Sequence, residues 1–183
     1  RVRRWIHGRG WKGLREIQAA AVEPILAGDR DVVISAATAG GKTEAAFLPL
    51  LSSIVRDGLA GSIQALYVGP LKALINDQFR RLEELCARTN IPVHRWHGDV
   101  SQDKKSALLK SPSGILLITP ESLESLLMRK GREVSRIFHD LRATVIDEMH
   151  SFLATERGRQ LATLLERIES HRHGCKRARR IGL

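Results

Sequence analysis

Four short runs dominated by apolar residues, DVVIS (31–35), IQALYV (63–68), GILLIT (114–119) and ATVID (143–147), are separated by stretches with helical periodicity. A strand that is apolar on both faces needs a cover on each. Parallel sheets flanked by helices provide that. The chain is therefore expected to form one α/β unit, a parallel sheet with helices on both faces. A further short strand is expected near Val93, and the terminal RARRIGL reads as the start of another.

The helices follow from spacing. Leu14, Ile17, Ala21 and Ile25 recur on one face, widened by Val22 and Leu26. Pro24 predicts a kink there or two short helices, and Gly28 predicts the stop. Residues 42–56 read as helical. Leu71, Leu74, Ile75, Gln78, Leu82 and Leu85 mark a long amphipathic helix. Further helices are expected over 101–110, after Pro120 and over 157–171.

The first run leads into AATAGGKT (36–43). A buried strand enters, Gly40 and Gly41 let the backbone curl, and a helix leaves. Such a nest aims N–H groups and a helix N-terminus at an anion. Lys42 can reach β- and γ-phosphates, and Thr43 can ligate Mg²⁺. Ala36 stands where the strict phosphate-loop pattern has glycine. A second anchor is TVIDEMH (144–150), a strand ending in adjacent acids. In a parallel sheet, ligands bind at the C-terminal strand ends. Asp147 can hold Mg²⁺ through water and Glu148 can activate the attacking water. Taken singly, these features also fit a glycine-rich turn and a pair of solvated acids. Together they describe a site for a magnesium nucleotide.

The formal net charge is +10, with basic residues crowded at both ends: Arg1, Arg3, Arg4, Arg9, Lys12 and Arg15, then Arg172, Lys176, Arg177, Arg179 and Arg180. That surplus favours a polyanionic partner, nucleic acid first. No apolar run approaches the roughly 18 residues that a membrane span needs. Cys86 and Cys175 show no metal or CxxC spacing, which fits a reducing, intracellular setting.

At this point the chain resembles a known family. AATAGGKT looks like motif I, and DEMH like motif II, of superfamily 2 helicases of the DExH/DEAD-box type. GWKGLREIQ (10–18) is similar to the Q motif, GPLKAL (69–74) to motif Ia, HGD (97–99) to the short motif after it, and TPESL (119–123) to motif Ib. GGKTEAAFLPLL, GPLKAL and RGRQLATLLERIE are most similar to Lhr-like (large helicase-related) proteins. RRIGL looks like the lead-in to motif III, so the resemblance implies a sequence cut just before it. It implies a RecA-like P-loop lobe over 14–183, preceded over 1–13 by a basic lead-in and the start of the Q motif.

The resemblance also implies roles. ATP and Mg²⁺ would be bound by Trp11, Gln18, Thr38, Ala39, Gly40, Gly41, Lys42, Thr43 and Glu44, with Gln18 on the adenine edge. Lys42, Asp147 and Glu148 would be catalytic, with Thr43 and Asp147 toward the metal. His150 would couple the nucleotide site to the interdomain cleft. Pro70, Leu71, Lys72, Gly98, Asp99, Thr119 and Pro120 would line a nucleic-acid track, DNA favoured over RNA. Asp99 is a like charge to phosphate and is expected to fix its loop rather than touch the ligand. A second RecA-like lobe would complete the motor, so this piece alone is expected to be monomeric and nearly inactive. A duplex translocase that does not unwind, and a clamp that binds ATP without turnover, are the alternatives.

Overall fold

The computed structural model describes residues 13–28, 30–36, 40–172 and 174–183. Trp11, Thr38, Ala39, and the basic residues Arg1, Arg3, Arg4, Arg9 and Lys12 lie outside the described residues.

Six strands form one all-parallel sheet: β1 (Val32–Val33), β2 (Ile63–Val68), β3 (Val93–Trp96), β4 (Gly114–Ile118), β5 (Ala143–Ile146) and β6 (Arg179–Gly182), in the spatial order β1-β6-β5-β2-β4-β3. The helices are α1 (Glu16–Ala27), α2 (Lys42–Asp57), α3 (Lys72–Cys86), α4 (Gln102–Lys110), α5 (Pro120–Arg129), α6 (Val134–Phe138) and α7 (Glu156–Ser170). This is the parallel α/β architecture that the strand–helix alternation predicts, and it agrees with the RecA-like lobe that the resemblance implies.

Strand side chains alternate between faces, and β2 shows the result. Ala65 and Tyr67 enter one core with residues of α1, α2 and α3, including Ile25, Phe47 and Ile75. Leu66 and Val68 enter the other, with Leu123, Ile137 and Leu161 of α5, α6 and α7. In β4, Leu117 faces the first core and Leu116 the second, and both are fully buried. Each such side chain contributes roughly 1.5–3 kcal/mol, which is why the runs read as continuously apolar.

Two local expectations change. α1 is one helix through Pro24, not two. Pro24 and Ala20 are exposed, so the carbonyl that proline leaves without a partner can meet water. The buried face of α1 also differs from the expected stripe at its ends and takes in one polar residue. Leu14 and Leu26 are exposed, whereas Gln18 is buried with Ala21 and Ile25. The short α6, not expected from the sequence, buries Val134, Ile137 and Phe138, an i, i+3, i+4 set too short to stand out on its own.

In the basic C-terminal segment, Arg172 is an internal brace, and the other basic residues lie wholly or partly at the surface. Arg172 is 4 % exposed. Its guanidinium donates to Glu169 (2.8 Å) and to the carbonyls of Leu141 (2.6 Å) and Lys176 (3.1 Å). Arg177 and Arg180 both pair with Glu166, at 2.7 and 2.6 Å, and Arg179 donates to the Ile25 carbonyl. This cluster lies at the N-terminal edge of the sheet, around the starts of β5 and β6. Of these basic residues Arg172 is taken up by the fold, whereas Lys176 and Arg177 remain on the surface, Arg177 with 60% of its side chain exposed.

Candidate nucleotide site and nucleic-acid rim

All strands run the same way, so the loops after β1, β2, β3, β4 and β5 leave one edge of the sheet. That edge holds both sequence anchors. Gly40, Gly41, Lys42 and Thr43 share a small cavity of about 130 Å³ with Asp147 and Glu148, and with Leu74, Gln78 and Arg81 of α3. The phosphate loop and the acid pair, 104 residues apart in sequence at Thr43 and Asp147, thus converge on one space.

Gly41 caps the N-terminus of α2 at φ +83°. That left-handed geometry disfavours any residue with a Cβ. A Cβ there would also stand 2.7 Å from Gln18 Nε2. Gln18 packs beneath the loop at 1 % exposure. Its Oε1 accepts from the Arg15 amide at 3.0 Å, while Nε2 is buried without a partner among the described residues. The amide NH2 of Gln18 is therefore a candidate donor to a ligand.

Asp147 follows β5, and its amide donates to the Val68 carbonyl of β2 at 2.9 Å. Its Oδ1 accepts from the Glu148 amide at 3.0 Å and its Oδ2 from the buried Tyr67 hydroxyl. Burial, and then the neighbouring carboxylate, push the Tyr67 phenol up, so it stays a donor. Glu148 has φ +49°, a conformation uncommon for a side-chain-bearing residue and concentrated at functional sites. Its Oε2 lies 3.4 Å from His150 Nδ1. His150 is 76 % exposed at its side chain and sits in the turn after the acids.

The residues present fit a magnesium-bound phosphate chain. Lys42 and the amides at the start of α2 supply positive potential, and Thr43 and Asp147 supply oxygens. Gln78 Oε1 is buried without a partner at the cavity wall, an acceptor placed for a donor that a ligand's water would bring. Among the described residues no three His, Cys, Asp or Glu side chains gather into a protein-only metal cage. Mg²⁺ commonly binds through one or two carboxylates, waters and phosphates instead. Glu44 does not line the cavity: its Oε1 takes Arg81 at 2.7 Å, joining α2 to α3. Tyr67, Gln78 and Arg81 were not evident as site residues. Gln78 reads from sequence as part of the α3 stripe, and Tyr67 as one more strand residue.

The loops after β2, β3 and β4 form a rim beside this cavity. Leu71, Lys72, Gly98 and Asp99 are exposed on it, whereas Pro70, Thr119 and Pro120 are buried. Thr119 caps α5, accepting from the Ser122 amide at 3.4 Å, so its hydroxyl serves the helix rather than the surface. The Pro70 carbonyl accepts from Arg157 at 2.6 Å. Lys72 Nζ meets Asp99 Oδ1 at 3.1 Å, and the lysine holds that carboxylate below its usual range.

The family model described as DEAD/DEAH box helicase matches residues 15–182. The chain is 36% identical over 184 residues to the ATP-dependent helicase Lhr-Core of Methanothermobacter thermautotrophicus, covering 92% of this chain and 21% of that protein. It therefore spans about a fifth of that relative's length. Among solved structures, Mycobacterium smegmatis helicase Lhr bound to ssDNA and AMP-PNP superposes with a TM-score of 0.80 at 31% identity, over 100% of this chain and 24% of that one. The DEAD-box helicase Mss116 bound to ssRNA and UDP-BeF shares the fold, with a TM-score of 0.88 at 18% identity over 99% and 37% of the two chains.

Proposed function

This chain belongs to the DEAD/DEAH box helicase family, and from that premise we propose that it is the ATP-binding lobe of a nucleic-acid motor of the Lhr type. The observation that carries the reading is the single cavity shared by Lys42, Thr43, Asp147 and Glu148. Lys42 and the α2 N-terminus bind the β- and γ-phosphates. Thr43 and Asp147 face the metal, and a bound magnesium ion supplies charge neutralisation on the transferring phosphoryl group. Glu148 orients the attacking water and accepts its proton. Gln18 Nε2 donates to the base, and Gly40 and Gly41 shape the loop.

Leu71, Lys72, Gly98 and Asp99 form the exposed part of the track, and contacts of this kind grip backbone without reading sequence. DNA is somewhat favoured over RNA as the polynucleotide, a preference supported by the ssDNA-bound Lhr structure at 31% identity. His150, exposed beside Glu148, faces a second RecA-like lobe, whose arginine would stabilise the phosphoryl transfer. The lobe alone is monomeric and intracellular, and turns over ATP negligibly.

The test is nucleotide binding by this chain and hydrolysis by a polypeptide that carries it with a second lobe. Glu148→Gln should bind Mg-ATP and lose hydrolysis by a factor of about 100 or more, and Lys42→Ala should lose binding. Unchanged hydrolysis in Glu148→Gln would falsify the assignment of the water-activating base. It would leave a clamp that binds ATP, or another base, as the reading.

A further inference from the structure

We infer that Tyr67 is a positioning residue for the Asp147 carboxylate, holding it in the one orientation in which it can take a water of the nucleotide's magnesium ion. The inference rests on the reading of the cavity as a magnesium-nucleotide site. It assigns a role to a residue that lies outside every motif of the sequence.

The strand register builds the contact. Tyr67 of β2 pairs with Val145 of β5, two residues before Asp147. The long phenol reaches along the neighbouring strand to the carboxylate at its end. Tyr67 is fully buried, with its ring packed 6.3 Å from that of Phe47 on α2, the helix that begins at the phosphate loop. Gly69 leaves room for it: a Cβ there would stand 3.2 Å from both the Tyr67 ring and Ile75.

The hydroxyl donates to Asp147 Oδ2 while the Glu148 amide donates to Oδ1. Each oxygen of the carboxylate is thus held once by the protein. A carboxylate oxygen has a second lone pair, and Asp147 lines the cavity. The free lone pairs are those that a magnesium-bound water would use. A hydrogen bond from a rigid partner fixes the orientation of such a group, and loss of partners of this kind typically weakens metal affinity about 10–100-fold. Phenylalanine would fill the same space and remove only the donor.

The experiment titrates Mg²⁺ into this chain with a fluorescent non-hydrolysable ATP analogue, comparing wild type with Tyr67→Phe. Analogue affinity in EDTA is measured alongside, and thermal melting checks the fold. The expected result is about a tenfold higher Mg²⁺ requirement in Tyr67→Phe, with EDTA affinity unchanged. Equal Mg²⁺ requirements would overturn the inference and leave the nucleotide site intact. Equal losses with and without Mg²⁺ would also overturn it, because they mark a general packing role. If wild type binds no analogue under any condition, the magnesium-nucleotide reading itself fails and takes this inference with it. A substitution of Tyr67 by Leu serves as the packing control: it should lower the melting temperature more than Tyr67→Phe does, without a larger Mg²⁺ effect.

Discussion

Lys72 Nζ sits 3.1 Å from Asp99 Oδ1, joining the loop after β2 to the loop after β3. Both side chains are more than half exposed, at 54% and 69%, so the pair adds little stability. Its consequence lies in binding. On the proposed track, Lys72 would have to exchange this carboxylate for a nucleic-acid phosphate.

Asp99→Asn should therefore tighten binding to single-stranded DNA by several-fold at low salt. The log–log salt slope should steepen by up to about 0.7, the value for one further phosphate neutralised on a single strand. Lys72→Ala should weaken binding and flatten the slope. Fluorescence anisotropy across a salt series measures both. Weaker binding in Asp99→Asn would show that the carboxylate organises the loop more than it competes.

Gly41 offers a sharper structural test. Alanine there meets Gln18 Nε2 at 2.7 Å and must adopt φ +83°. A left-handed residue with a Cβ costs roughly 1–2 kcal/mol. A domain of this size should lose a few degrees of melting temperature per kcal/mol, and nucleotide affinity should fall with it. A melt indistinguishable from wild type would mean that the loop relaxes freely around the new methyl.

Arg172→Ala should destabilise the fold by about 3 kcal/mol or more, since removing one partner of a buried pair leaves the other uncompensated. Arg172 is 2% exposed at its side chain, and Glu169 is 18%. Arg172→Lys should rescue little, because three acceptors from two chain segments need the guanidinium fork. Nucleic-acid affinity of the folded fraction should be unchanged. Urea denaturation with a parallel binding assay separates the two effects. A large loss of binding in a fully folded Arg172 variant would place this edge in the track after all.

Acid should weaken the fold through two histidines. Burial lowers the His94 and His97 imidazoles below their ordinary values. His97 is 3 % exposed and shares Asn76 Oδ1 with Arg95, at 3.1 and 2.7 Å. The folded state thus binds fewer protons than the unfolded chain near pH 6. Stability from keeping both rings neutral is complete above the unfolded value of about 6.5. It is lost as pH falls through the lowered folded values. Urea midpoints at pH 7.5 and 5.5 should differ, and the difference should shrink in His94→Gln. Midpoints that rise on acidification would contradict the sign.

The sheet was readable because its strands are apolar on both faces. The phosphate loop and the acid pair were readable because parallel topology leaves one edge for both. What the sequence hid depends on side-chain direction. Gln18 is buried although polar, and Leu14, which precedes α1, is exposed, and hydrophobicity alone encodes neither. Thr119 looks like a surface hydroxyl until its cap to Ser122 is seen. Arg172 looks like a surface cation until Glu169 is placed opposite it. Tyr67 was invisible as a site residue, because its polar tip matters only once β5 lies beside β2.

The two ends of this sheet carry separate duties, with the guanidinium brace at one and every ligand-facing loop at the other. An engineer could therefore graft new track loops, or exchange those of a relative, while leaving the cluster of Arg172, Arg177 and Arg180 untouched. Variation in grip would then be insulated from variation in thermal robustness, and one lobe could be retuned for different polynucleotides without a stabilising change elsewhere.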